Sequence, residues 1–89
     1  MSNNKYKILI VEDAANTRSF IKANLETSDY QVICAETCTL GIMMYASHHP
    51  DLIILDLGLP DRDGLDLIQK VRESDTVPII VLSARSNER

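Results

Sequence analysis

Three carboxylates fall where two apolar runs stop. Lys7-Ile8-Leu9-Ile10-Val11 runs into Glu12-Asp13, and Leu52-Ile53-Ile54-Leu55 runs into Asp56. Brought to one place, three acids repel each other, and a divalent cation held by oxygen ligands is the natural compensation. Mg2+ suits such hard donors, keeping several waters while taking one or two carboxylates and a phosphate. A carboxylate is also a nucleophile toward phosphorus, forming an aspartyl-phosphate. A metal beside it would neutralise the incoming phosphoryl oxygens and hold donor and acceptor in line. Ser83 closes a further apolar run, Pro78-Ile79-Ile80-Val81-Leu82. Its hydroxyl can donate to a phosphoryl oxygen, although a serine at a strand end is also a common turn former. Acids at a single strand end are ordinarily just solvated; two acidic ends in one fold weaken that reading.

To share a rim, these ends must belong to neighbouring parallel strands, and the periodicity supplies them. Residues 7–11, 31–35, 52–55 and 78–82 read as strands, the first of them as one buried on both faces and the third as the most apolar. Residues 15–27 read as a helix with Phe20, Ile21 and Leu25 inward and Arg18, Lys22 and Glu26 in water. Thr39 is a candidate N-cap for a second helix, with Leu40, Met43 and Met44 inward and His48-His49-Pro50 ending it. Gly41 inside that helix costs about 1 kcal/mol relative to Ala. Leu65, Leu67, Ile68 and Val71 have the spacing of a third helix. The order β-α-β-α-β-α-β implies an α/β fold, a parallel sheet with right-handed crossovers and helices on both faces. In such sheets ligands bind beyond the carboxyl ends of the strands, where Glu12, Asp13, Asp56 and Ser83 all fall.

The composition narrows the alternatives. The 89 residues make one small domain, and 9 basic against 13 acidic residues, net −4, argue against nonspecific nucleic-acid binding. No apolar run reaches the roughly 18 residues of a membrane span, and the N-terminus lacks the apolar core of a signal peptide. A cytoplasmic protein with two free thiols, Cys34 and Cys38, is expected. Neither a G-x-G-x-x-G nor a P-loop sequence is present. Asp61-Arg62-Asp63-Gly64 is not a calcium loop, because Leu59 and Lys70 would occupy its first and twelfth positions. Asp61 and Asp63 read instead as turn residues, with Gly64 at positive φ. Cys34, Cys38, His48 and His49 lack a diagnostic zinc spacing, and the thiols read as buried and inert.

Taken together these residues resemble the receiver domain of bacterial two-component response regulators. The matching segments are Ile8 to Asp13, Arg18, Pro50 to Pro60, Asp63-Gly64 and Pro78 to Ala84. The wording of Leu57 to Asp61 and Leu82 to Arg85 is most similar to OmpR-type regulators, and within them the potassium-responsive KdpE group. The resemblance implies a flavodoxin-like (CheY-like) fold with strand order 2-1-3-4-5. It implies that Asp56 is the phosphoacceptor for a sensor histidine kinase. Glu12 and Asp13 would hold Mg2+ with Asp56, the Gly58 backbone carbonyl would add a ligand, and Ser83 would turn toward the phosphoryl group. Pro60 and Gly64 would shape the loop after the acceptor. Such a module is a signalling protein that controls transcription in its full-length form, not an enzyme.

The chain departs from that family pattern at its end. A receiver continues through a fourth helix, a fifth strand bearing a lysine and an aromatic switch residue, and a fifth helix. Residues 1–89 are therefore expected to be a partial receiver domain, β1-α1-β2-α2-β3-α3-β4, without a DNA-binding effector domain and with phosphorylation impaired. Its fourth strand, an exposed edge, is expected to drive homo-oligomer formation by strand pairing or element exchange. Two other readings stand beside the phosphoacceptor: an interaction module that takes no phosphate, and an aspartyl-phosphate hydrolase. The hydrolase would want a second acid where Gly58 stands.

Overall fold

The computed structural model describes residues 5–82. Four strands and three helices alternate: β1 Lys7–Val11, α1 Ala15–Thr27, β2 Gln31–Ala35, α2 Cys38–His48, β3 Leu52–Asp56, α3 Gly64–Arg72 and β4 Ile79–Leu82. All pairings are parallel, in the order β2-β1-β3-β4. The alternating period implied the parallel sheet, and the order is that of the first four strands of the flavodoxin-like fold that the resemblance implied. Ser83 lies outside the described residues.

Side-chain alternation along the strands divides the core in two. Leu9, Val11, Ile53 and Leu55 point to the face covered by α2 and α3, where they meet Cys38, Leu67 and Val71. Ile8, Ile10 and Ile54 point the other way, against Ile21 and Leu25 of α1. A strand apolar at every position suits a sheet covered on both sides, which is why these runs show no alternation in sequence.

The helices correct several sequence expectations. On α1 the inward stripe is the partly buried i,i+4 pair Ile21 and Leu25; Phe20, one residue round the helix, is 70% exposed. On α2, Leu40 and Met44 pack inward while Met43 turns outward, and on α3 Leu67 and Val71 are buried while Leu65 is exposed. The N-cap of α2 is Thr37 rather than Thr39, with the Thr37 hydroxyl accepting from the Leu40 N–H at 3.0 Å. His49 closes that helix in the left-handed region, φ 49°. Cys38 is buried as expected, whereas Cys34 is only half-buried.

The two helical glycines mark close approaches. A Cβ on Gly41 would lie 2.9 and 3.0 Å from the two Val11 Cγ atoms and 3.0 Å from Leu67 Cδ1. The helix-propensity cost at Gly41 is thus what lets α2 cross β1 at contact distance. Gly64 does not have positive φ; it is the first residue of α3. A Cβ there would lie 2.8 Å from Leu57 Cα and 2.9 Å from the Asp56 carbonyl oxygen.

Candidate functional site

Register builds the site. β1 and β3 pair from Ile8 with Leu52 to Val11 with Leu55, so the next residues, Glu12 and Asp56, lie across from each other at the carboxyl ends of the two central strands. Asp13 follows on the exposed rim. Each of Glu12, Asp13 and Asp56 offers a carboxylate oxygen within 4.8 Å of the other two. Glu12 is 6% and Asp56 5% exposed, so two of the three carboxylates are almost withdrawn from water.

Buried acids in contact are costly when both are ionised. The Glu12 carboxyl is pushed above its ordinary range chiefly by burial; the Ala14 N–H pulls it down, and the Asp56 and Asp13 charges raise it further. The donor set is therefore all oxygen, crowded and anionic, which is what Mg2+ coordination asks for. Three carboxylates plus waters fit that ion, and no nitrogen or sulfur donor joins the cluster among the described residues.

Short hydrogen bonds fix the carboxylates. Glu12 Oε2 accepts from the Ala14 N–H at 3.0 Å, and the Glu12 N–H donates to the Ala35 carbonyl of β2 at 3.0 Å. Asp56 Oδ1 accepts from the Gly58 N–H at 3.1 Å, which sets the rotation of that carboxylate and holds Gly58 beside it. Arg18 reaches back from α1: its Nη1 donates to the Glu12 carbonyl at 2.8 Å and the Asp13 carbonyl at 3.4 Å. Arg18 therefore clamps the backbone of the acidic pair and is half-buried, not a water-facing residue of α1. Glu12, Asp13 and Asp56 are thus brought together as their positions at strand ends implied, and Gly58, which the resemblance alone named, lies beside Asp56 through its N–H. The fifth expected residue, Ser83, lies outside the described residues.

Asp61, too, was misassigned from sequence. It is no simple turn former; its two carboxylate oxygens accept from the Cys38 and Thr39 N–H groups at 2.8 and 2.9 Å, across 23 and 22 residues. No local pattern signals that contact, because its partners are backbone groups whose availability depends on where α2 begins. Asp63, by contrast, caps its own helix by accepting from the Leu65 N–H at 3.0 Å, an arrangement that an Asp before a helix does advertise.

Comparison with known proteins adds to this geometry. A family profile described as "Response regulator receiver domain" matches residues 8–89. The KDP operon transcriptional regulatory protein KdpE of Escherichia coli K12 is 51% identical over 81 residues, covering 91% of this chain and 36% of the relative. The chain thus spans about a third of that protein's length. Among solved structures, the non-phosphorylated HemR receiver domain from Leptospira biflexa superposes with a TM-score of 0.83 at 34% identity, covering 94% of this chain and 68% of that one. The MaeR response regulator bound to beryllium trifluoride gives 0.81 at 30% identity, covering 92% and 69%.

Proposed function

Because the chain belongs to the response regulator receiver domain family, we propose that it takes a phosphoryl group onto Asp56 from a sensor histidine kinase with Mg2+ bound. The observation that carries this reading is the convergence of the Glu12, Asp13 and Asp56 carboxylates within 4.8 Å at the ends of two central strands. In the transfer, an Asp56 carboxylate oxygen forms the bond to phosphorus as the P–N bond of the donor phosphohistidine breaks. The bonding pair and a proton return to the imidazole. The Gly58 N–H holds the carboxylate in one orientation for attack. Arg18 and the Ala14 N–H hold Glu12 and Asp13 in place. The ion would be held by Glu12, Asp13, Asp56 and the Gly58 carbonyl, and when bound it supplies the positive charge that offsets the phosphoryl oxygens. In this scheme Ser83 contacts the phosphoryl group through its hydroxyl.

The chain is then a phosphoacceptor in a phosphorelay, not an enzyme with a substrate of its own. A cytoplasmic setting and control of transcription by the whole protein belong to the same proposal; the latter is supported by the name of the KdpE relative. No helix among the described residues is long and apolar enough to cross a membrane. DNA binding is not assigned to this segment, in keeping with its net charge of −4. A homo-oligomeric contact is proposed at β4, which among the described residues pairs with β3 alone and leaves Ile80 and Val81 exposed.

Intact-mass measurement after incubation with a small phosphoramidate donor and Mg2+ tests the central claim. One added phosphoryl group is expected, and none on Asp56→Asn. Ready addition also sets aside the expectation of an impaired site. Failure to add while Mg2+ still binds overturns the phosphoacceptor reading in favour of the interaction module.

A further inference from the structure

The N–H groups that open a helix have no intrahelical acceptor, and in α2 their partners come from two places. The Leu40 N–H is taken by Thr37, the local cap, and the Gly41 N–H by the Thr37 carbonyl, the first bond of the helix. The Cys38 and Thr39 N–H groups are taken instead by the two oxygens of Asp61, in the loop that follows Asp56. Desolvation acts to raise the Asp61 pKa, but these donors outweigh it and hold the carboxyl well below the ordinary aspartate range. The positive end of the helix dipole favours the same charge. The contact therefore remains ionised and intact throughout the neutral range.

The loop tied in this way is the one that carries Gly58. Its base is closed by the Gly64 N–H donating to the Leu57 carbonyl at 3.1 Å, and its first turn by the Gly58 N–H on Asp56 Oδ1. Between those points, Pro60 restricts one φ angle and Asp61 supplies the side-chain tie to another element. Leu57 and Leu59 also pack against the core and the Cys38 thiol donates to the Asp63 carbonyl at 3.7 Å, so loss of Asp61 would remove the polar tie at the tip of the loop while leaving these contacts in place.

We propose that Asp61 is a positioning residue: by bridging the loop after Asp56 to the start of α2, it holds the Gly58 carbonyl and the Asp56 carboxylate where a metal ion can use both. This rests on the Mg2+-binding reading above and deepens it. Asp61 bonds α2 and acts on the ligands only through the loop, so the loss expected for Asp61→Ala is about 10-fold, the lower end of what removing a direct outer-shell partner of a ligand costs. Asp61→Asn keeps one acceptor oxygen and is expected to fall between the two.

Mg2+ titration of the full chain, followed through the backbone amide shifts of Glu12, Asp56 and Gly58, tests this. The control is Thr37→Ala, which removes a cap from the same helix without touching the loop. If Asp61 positions the site, Asp61→Ala binds Mg2+ about tenfold more weakly while Thr37→Ala stays near wild type, although both melt at lower temperature. Equal weakening by the two variants would reduce Asp61 to a helix cap and overturn the proposal. So would an Asp61→Ala affinity equal to wild type. A wild-type chain whose three amides ignore Mg2+ would bring down the metal-site reading itself, and this inference with it.

Discussion

Replacing Gly64 separates two explanations for a glycine behind the phosphoacceptor. If it were there for a positive φ, asparagine would substitute better than alanine, because asparagine tolerates the left-handed region. The structure gives another reason. A Cβ at Gly64 meets Leu57 Cα at 2.8 Å and the Asp56 carbonyl oxygen at 2.9 Å, and both of these are backbone atoms that no rotamer change can move. Inserting a methyl into such a contact costs about 1–3 kcal/mol. Lengthening the Gly64 N–H to Leu57 carbonyl bond, now 3.1 Å, adds a further ~0.5–1.5 kcal/mol. Better helix propensity returns at most about 1 kcal/mol, and less at the first helical position. A net loss of about 2 kcal/mol lowers the melting temperature of a domain this size by roughly 10 °C. Because the displaced atoms belong to Asp56 and Leu57, Mg2+ affinity should fall as well. Thermal melts by circular dichroism, with Mg2+ titrations of the same samples, measure both. Gly64→Asn should be no better than Gly64→Ala. An asparagine variant milder than the alanine one, or two variants within a couple of degrees of wild type, would refute the close-approach reasoning.

Two further outcomes are expected. Glu12 has its folded pKa raised, so its share of stability is full below the ordinary glutamate value of 4.5 and is lost as pH rises through the folded value. Metal-free protein should therefore lose stability upward from that pH, and Mg2+ should restore it, by about 1.4 kcal/mol at ten times its Kd; melts between pH 4 and 8 that show no such divergence would count against the buried acidic pair. Asp61 and Asp75 are shifted the opposite way, Asp75 first by the Tyr45 hydroxyl, so their contributions disappear only as pH falls below about 3.8 and do not overlap this window. At β4, Ile80→Lys should dissociate any oligomer seen by sedimentation velocity; a clean wild-type monomer at tens of micromolar would end the proposal of a contact there.

The strands and the acidic cluster were legible because each depends on local information. A strand covered on both faces must be apolar throughout, and a carboxylate directly after such a strand must emerge at its carboxyl end. Parallel register then forces Glu12 and Asp56 together with no further instruction. The helix faces were less legible, because adjacent apolar residues such as Phe20 and Ile21 lie about 100° apart on the helix, and which of them is buried depends on the crossing angle with the sheet. What the sequence hid entirely was contact between elements far apart in the chain. Gly41 looked like a weakness in α2 until β1 was found passing under it. Asp61 looked like a turn residue until the start of α2 was found waiting for its two oxygens.

That last case shows why the support of a site is harder to read than the site. A metal ligand is marked by its element and position, since chemistry restricts both. A residue that steadies the ligand can be any side chain able to reach a backbone group that the fold leaves unpaired. In α2 the local cap Thr37 satisfies one opening N–H, and two remain for whichever loop lies above them. The loop above them is the one that emerges from β3, because α2 and α3 cover the same face of the sheet. An acceptor at its tip thereby ties that loop to the start of α2, so it is loss of Asp61, and not loss of the local cap Thr37, that is expected to disturb the geometry around Asp56.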